Sequence, residues 1–376
     1  MEFKRDIEID RHYIPTENLG YPISSFRNLK GTCPTNSILV CLMASKKLAD
    51  YYGNVKVWYS RLEKEIEDNR KKRITNGIDI TSEKARKYII MNSISDNFSC
   101  LVSNYFHLPR VISPVRFCDA IFQKSKKFNK SMYDNGFIDT YACNSGGGSA
   151  HINYIHIIDC LIYESSYKED IDIENDREKE IAYLNYIANK ITKLNITLVG
   201  DKFELPEHYK CPILELFGIY SKETSHCDTC KTKRIKYLAN TLTSRSYFFE
   251  DFTFIENFGL TCQTCRNILR VESKILQLPE YLVSFCIERT TEQKINEEII
   301  NRTIDLSHYV PCERDKYSIY GFVQYTSGHF HSFVKYDFTW YHVDDARVEV
   351  LTLHQLIDKL NTLHYVNILT FYKRIN

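Results

Sequence analysis

The chain has 376 residues, 43% hydrophobic and 13% aromatic, enough to bury a large core in one elaborated domain or two closely joined ones. Its 49 lysines and arginines nearly cancel 48 aspartates and glutamates, which excludes a global field drawing it to nucleic acid or an anionic membrane. Any partner must be recognised locally. No apolar run approaches the roughly 20 residues that span a bilayer, and the charged stretch from Met1 to Arg11 lacks the apolar region of a signal peptide. The expected location is therefore the cytosol or nucleus, where an odd set of 13 cysteines is a poor disulfide framework and reads instead as packing, metal binding or catalysis.

The first predicted element follows Asn28-Leu29-Lys30-Gly31-Thr32-Cys33-Pro34-Thr35-Asn36-Ser37. Apolar Ile38, Leu39, Cys41, Leu42 and Leu48 recur there at helical intervals. A proline directly after Cys33 suits the first helical position, where its missing N–H costs nothing, so Cys33 is expected at a helix N-terminus. Free N–H groups and the helix dipole at such a place favour a thiolate, which predicts a lowered thiol pKa. By itself the pattern fits a packing cysteine equally well.

Gly146-Gly147-Gly148-Ser149 then marks a loop, and Ile152, Ile155, Ile158 and Leu161 predict a buried helix over His151 to Tyr163. The charged run from Glu164 to Glu180 reads as a solvated face. Ile181, Leu184, Ile187, Ile191 and Leu194 trace one stripe of a further amphipathic helix. After Pro206 the character changes to aromatic and β-branched stretches: Tyr247 to Ile255, Tyr281 to Ile287, Tyr317 to Tyr325, Phe330 to Tyr336 and Val366 to Tyr372. Helices first and strands afterwards predict an α+β fold with the helices gathered in one lobe.

Two knuckles, Cys227-Asp228-Thr229-Cys230 and Cys262-Gln263-Thr264-Cys265, supply four thiolates. That donor set suits a tetrahedral, closed, structural zinc site. His226 adjoins the first knuckle and reads as a bystander, because four cysteines already complete the shell.

Asn-x-x-x-Thr-Cys-x-x-Asn-Ser ahead of an apolar helix resembles the cysteine box of the ubiquitin-specific protease family. The run Tyr317-Ser318-Ile319-Tyr320-Gly321-Phe322-Val323, then Gly328-His329-Phe330, then Trp340-Tyr341-His342-Val343-Asp344-Asp345 resembles that family's histidine box. A zinc ribbon between the two boxes, a Leu278-Pro279 turn entering a strand, and the closing Leu369-Thr370-Phe371-Tyr372 are similar as well. The resemblance runs from about Phe26 to Tyr372 and implies a papain-like fold: a helical thumb over 20–200, zinc-ribbon fingers over 205–280 and a β-rich palm over 281–376, together one catalytic domain over 1–376.

It further implies hydrolysis of the amide bond after the C-terminal glycine of ubiquitin, with ubiquitin or ubiquitinated proteins as partners and neither nucleic acid nor membrane among them. In that scheme Cys33 is the nucleophile, His329 the general base, Asp344 the residue that orients the imidazole and Asp345 its support. The chemistry requires these types, since a thiol attacking an amide needs a base that titrates near neutrality and is held in one tautomer. Asn28 matches the family's oxyanion donor; a turn residue bonding its own backbone is the plainer alternative. His331, His342 and His12 carry no assigned role.

The sequence departs from the family pattern at Lys30, Pro34 and the short Tyr325-Thr326-Ser327 stretch before Gly328, and only Gly147-Gly148-Ser149-Ala150-His151 stands near its glutamine-containing box. Three other readings stay open: a ubiquitin-binding pseudoprotease, a protease for a ubiquitin-like modifier, and a zinc-ribbon nucleic-acid binder resting on Lys231, Lys233, Arg234 and Lys236.

Overall fold

A computed structural model describes residues 23–29, 31–53, 94–107, 111–114, 117–118, 150–166, 197–199, 202–204, 212–245, 252–253, 261–262, 264–286, 294–310, 315–362 and 366–375. The amphipathic stripe over 181–194, the glycine cluster at 146–149, Lys30 and His12 lie outside them.

In chain order the first half holds β1 (Ser25–Phe26), α1 (Cys33–Met43), α2 (Lys46–Gly53), α3 (Ile94–His107), β2 (Val111–Ile112), α4 (Ala150–Ser166), β3 (Thr197–Val199) and β4 (Lys202–Glu204). Next come α5 (Pro212–Phe217), β5 (Ile219–His226), β6 (Lys233–Asn240), β7 (Thr243–Arg245), β8 (Phe252–Thr253), β9 (Arg270–Gln277) and β10 (Tyr281–Cys286). The last stretch holds α6 (Glu297–Asn301), β11 (Thr303–Asp305), β12 (Lys316–Thr326), β13 (His329–Tyr336), β14 (Thr339–Asp344), β15 (Arg347–Leu351), α7 (Leu353–Thr362) and β16 (Val366–Ile375). The α+β class holds, and so do the strands expected at β10, β12, β13 and β16, but the helices are not gathered in one lobe: α6 and α7 fall among the late strands, and α7 packs on β14 and β15. Of the strand expected over Tyr247 to Ile255, only β8 falls among the described residues.

Nine strands form one sheet in the order β15-β14-β13-β12-β16-β10-β7-β8, with β11 paired to β12. Short turns set its register: Thr326 pairs with His329, so β12 and β13 are joined by Ser327 and Gly328 alone. Both turn residues have positive φ (48° and 87°), the conformation a two-residue hairpin needs to follow the strand twist, and glycine adopts it without a Cβ penalty.

Alternation along the strands gives the sheet two apolar faces. Val323, Val334, Tyr341, Val343, Leu369 and Phe371 look toward α1, α3 and α4. Phe322, Phe333, Trp340 and Tyr372 look toward Leu356 and Leu360 of α7.

Helix α1 is the element on which the site depends. Every one of its residues is buried, including Thr35, Asn36 and Ser37, as expected of a helix enclosed on all sides. It lies on β12, β13 and β14 with α4 and α2 against its other flanks. A close approach to β12 is possible because position 321 is glycine: a Cβ there would stand 3.3 Å from Cys41 Sγ and 3.5 Å from the Phe333 carbonyl oxygen. A register shift between Ile319 and Gly321 accompanies this contact, and the Tyr320 hydroxyl reaches Ser45 Oγ at 2.6 Å, just beyond the helix end. The core therefore fixes both ends of the Cys33 helix relative to the sheet.

Candidate functional site

Cys33 is the first residue of α1, and Pro34 the second, one place later than the sequence pattern predicts. The Asn36 N–H donates to the Thr32 carbonyl (2.8 Å), which starts the helix. The preceding loop is held by its own side chains. Asn28 Oδ1 accepts from the Gly31 and Thr32 N–H groups (3.0 and 3.3 Å), and Thr32 Oγ1 accepts from the Leu29 N–H (2.9 Å). The turn role for Asn28 is thus present. With its oxygen committed, its amide nitrogen faces outward and donates to Asp345 Oδ2 at 2.8 Å.

His329 opens β13 directly off the tight turn, and its Nε2 lies 2.7 Å from Asp344 Oδ1 and 3.4 Å from Asp345 Oδ2. That leaves Nδ1 as the nitrogen that can accept a proton. Asp344 ends β14 and Asp345 starts the turn into β15 with a left-handed backbone (φ 47°), which aspartate tolerates better than most residues. Asp345 ties the halves of the site together, because its Oδ1 also accepts from Asn36 Nδ2 on α1 (2.9 Å) and its carbonyl from the Phe26 N–H (3.2 Å). Asn36 has no role in the sequence reading. Its placement three residues past Cys33, one turn along the buried helix, is the signal that could have found it.

The structure brings Cys33 to the same place. Burial pushes its thiol pKa above the usual value, the Phe330 backbone N–H directed at the sulfur pulls it down, and the Asp345 and Asp344 carboxylates push it up again; the net direction is up. The lowered pKa expected from a helix N-terminus is therefore overturned: desolvation and two nearby negative charges outweigh the helix end. At neutral pH the free protein holds a thiol, so alkylation of Cys33 by iodoacetamide should accelerate with pH through a midpoint above that of an ordinary thiol. A plateau already reached near pH 7 would contradict the geometry.

Asp344 is held below the ordinary carboxylate range. Burial opposes this, but the His329 hydrogen bond and the His331, His329 and His342 imidazoles outweigh it. Two further histidines surround the carboxylate. His331 Nδ1 is 3.7 Å from Asp344 Oδ1, and His342 Nε2 is 3.3 Å from the same His331 nitrogen. Burial pushes both imidazoles down, His342 to about 4 with help from the Lys359 and His331 charges, so both are neutral at physiological pH.

The four knuckle cysteines converge elsewhere. β5 is flanked by β6 and β9 in a three-stranded sheet, and His226 pairs with Lys233 on one side and Arg270 on the other. This register places the first knuckle at the β5–β6 tip and the second at the start of β9, on one end of the sheet. Each knuckle is followed by a residue with left-handed backbone, Lys231 (φ 53°) and Arg266 (φ 59°), and each first cysteine N–H donates to a carbonyl five residues on, that of Thr232 or Asn267. The sulfurs of Cys227 and Cys265 stand 3.4 Å apart and those of Cys262 and Cys230 3.9 Å, close to the roughly 3.8 Å edge of a tetrahedron with zinc–sulfur bonds of about 2.3 Å. Backbone N–H groups of Cys265 and Thr264 aimed at Cys262 bring its thiol down to about 6. Asn267 Nδ2 donates to Thr229 Oγ1 (2.7 Å) and links the two knuckles, while His226 faces Asp228 (3.6 Å) outside the cluster. These four residues fit a metal ion.

Among the described residues no helix is long and apolar enough to cross a membrane. No curated protein sequence matches the chain significantly. Solved structures do. A yeast SAGA deubiquitinating module with an Sgf73 variant is 15% identical over 97% of this chain and 71% of that chain, with a TM-score of 0.51. A SAGA module of a Ubp8 variant with Sgf11, Sus1 and Sgf73 bound to monoubiquitin is 13% identical over 97% and 72%, with a TM-score of 0.47. The profile described as ubiquitin carboxyl-terminal hydrolase matches residues 166–370, a span that holds the four knuckle cysteines, His329, Asp344 and Asp345, while Asn28, Cys33 and Asn36 lie ahead of it. With more than half of its length matched in this way, the chain belongs to the ubiquitin carboxyl-terminal hydrolase family, of the ubiquitin-specific protease type.

Proposed function

We propose that the chain is a thiol-dependent deubiquitinase that cleaves the amide bond after the C-terminal glycine of ubiquitin. The observation that carries this reading is the 2.7 Å contact between His329 Nε2 and Asp344, which leaves Nδ1 available on the strand whose Phe330 amide faces the Cys33 thiol.

In this mechanism Nδ1 of His329 takes the Cys33 proton as the sulfur attacks the glycine carbonyl. The oxyanion receives the Cys33 backbone N–H and the second amide hydrogen of Asn28, whose first is committed to Asp345. Collapse breaks the C–N bond, and the imidazolium returns its proton to the departing lysine amine. Water, deprotonated by the same Nδ1, then hydrolyses the Cys33 thioester and frees the ubiquitin carboxylate. Asp344 holds the imidazole in the tautomer this requires, and Asp345 positions Asn28 while Asn36 holds Asp345.

The thumb corresponds to 20–200, with α1 at its contact with the sheet. The palm corresponds to 281–376, and the fingers to 205–280, within which β7 and β8 hydrogen-bond into the large sheet. A zinc ion held by Cys227, Cys230, Cys262 and Cys265 would supply cross-linking and no chemistry, keeping the β5–β6–β9 sheet rigid for ubiquitin's globular part. A ubiquitin substrate places this work in the cytosol or nucleus.

One observation favours a second reading, ubiquitin binding without turnover: the buried Cys33 thiol has a raised pKa. Incubation with fluorogenic C-terminal amides of ubiquitin and of ubiquitin-like modifiers separates the readings. Release from ubiquitin alone is expected. Release only from a ubiquitin-like conjugate would reassign the substrate, and binding without release from any would leave the pseudoprotease.

A further inference from the structure

We propose that His329, His331 and Asp344 form a second metal site, one that takes a divalent transition-metal ion, zinc above all, and switches the site off while occupied. Their donor atoms lie within 4.8 Å of one another. The arrangement follows from strand alternation. His329, His331 and Phe333 share one face of β13, and the Phe333↔His342 pairing brings His342 and Asp344 of β14 to the same face.

Two imidazoles and a carboxylate are the donor set of open zinc sites, with a fourth position left for water. A tetrahedral ion with bonds of about 2.0–2.1 Å needs donors roughly 3.3 Å apart. The His329–Asp344 and His331–Asp344 separations, 2.7 and 3.7 Å, bracket that distance. The third separation, between the two imidazoles, lies within 4.8 Å, so side-chain adjustment can bring all three donors onto one ion. The His329 and His331 rings meet edge to face at 83°, so their nitrogens can aim at a common point without stacking clash.

Access and competition both permit entry. The side chains of His329 and Asp344 are 31% and 29% exposed, which gives the ion a path from solvent. One competing partner of His331 Nδ1 is His342 Nε2 at 3.3 Å, a long hydrogen bond that a coordinate bond displaces. Behind it, His342 faces Glu349 (3.6 Å), which Lys359 already neutralises (2.7 Å). Nitrogen donors select zinc, copper or nickel over magnesium and calcium.

Occupation is inhibitory for a chemical reason. The ion would replace the proton on His329 Nε2 and claim the Asp344 oxygen that orients the ring. A metal-bound imidazole is a poor base at Nδ1, because a proton there would add a second positive charge beside the first. No covalent step is involved, so inhibition is reversible.

The site shares His329 and Asp344 with the proposed mechanism, but its binding test needs no turnover. Protein carrying Cys33→Ala, loaded at the four-cysteine cluster and titrated with zinc chloride in a calorimeter, should take up one further equivalent. Adding His331→Phe should weaken that equivalent at least about tenfold, since losing even an outer partner of a metal ligand typically costs 10–100-fold. Should His331→Phe not fold, Asp344→Asn in the same background should do likewise. In protein with Cys33 intact, half-inhibition by free zinc should shift upward by a similar factor on His331→Phe, while millimolar calcium and magnesium leave turnover unchanged. The proposal is overturned by absence of the further equivalent, or by equal zinc affinity with and without His331. Zinc uptake that requires Cys33 would place the ion on the thiol instead, and overturns it too.

Discussion

Replacing His329 by alanine should lower kcat by about 10⁴-fold or more, with ubiquitin affinity and melting temperature nearly unchanged. The size follows from the state of the nucleophile. Burial and the Asp345 and Asp344 charges keep Cys33 protonated in the free protein, so no preformed thiolate remains to react when the base is gone. In the proposed mechanism His329 removes the thiol proton and also protonates the leaving amine, so its loss affects both transfers. Asp344→Asn should cost less than His329→Ala. Its ring nitrogen would keep the Asp345 carboxylate at 3.4 Å as a second anchor, although the amide no longer enforces one tautomer. Steady-state kinetics with a ubiquitin C-terminal amide, beside binding of intact ubiquitin, measures both effects. A His329→Ala variant within tenfold of the parent would contradict the assigned base.

Breaking the four-cysteine cluster should act on structure rather than chemistry. Zinc–thiolate binding in small sites contributes about 10–16 kcal/mol of apparent free energy, comparable with the whole stability of an ordinary domain. Among the described residues, apolar packing at that end of the three-stranded sheet β6-β5-β9 is sparse. Ile235 and Ile268 are exposed, and Thr261↔Ile268 is an isolated bridge beside the second knuckle. Cys230→Ser or Cys265→Ser should therefore release about one equivalent of zinc and unfold the knuckle end of the sheet, seen as fast amide exchange over 224–235 and 270–273. The helix and strands carrying Cys33 and His329 should stay protected, because the knuckles sit at the His226 end of the sheet, while Ile219, Tyr220, Ala239 and Ile275 at its other end pack in the cores shared with that helix and those strands. Metal-free protein with the same exchange pattern as the parent would remove the structural role for zinc.

Much of this was legible in the sequence because the informative residues are local. A helix that begins at a cysteine and two knuckles with paired spacing each express their geometry within a few residues. The strands at β10, β12, β13 and β16 announced themselves by alternation and β-branched content. What could not be read depends on contacts between distant segments. Asn36 looked like one more polar residue in a cysteine box, and only the fold carries it to Asp345, 309 residues away. The direction of the Cys33 pKa is hidden from the sequence for the same reason. The helix end is a local feature, but the desolvation and the two carboxylates that outweigh it come from β13, β14 and the turn that follows. The position of His331 beside Asp344 follows from strand alternation only once the Phe333↔His342 register is known. Gly321 likewise reads as a weak strand residue until Cys41 is seen against it.

The central claim is that Cys33 attacks the ubiquitin C-terminus. Ubiquitin carrying an electrophile in place of its last carboxylate tests it in one step, by intact mass and peptide mapping of the product. A single adduct on Cys33 is expected, formed slowly when His329 is alanine and not at all with Cys33→Ala, which still binds ubiquitin. An adduct on Cys41 or a knuckle cysteine, or tight ubiquitin binding with no adduct, would contradict it.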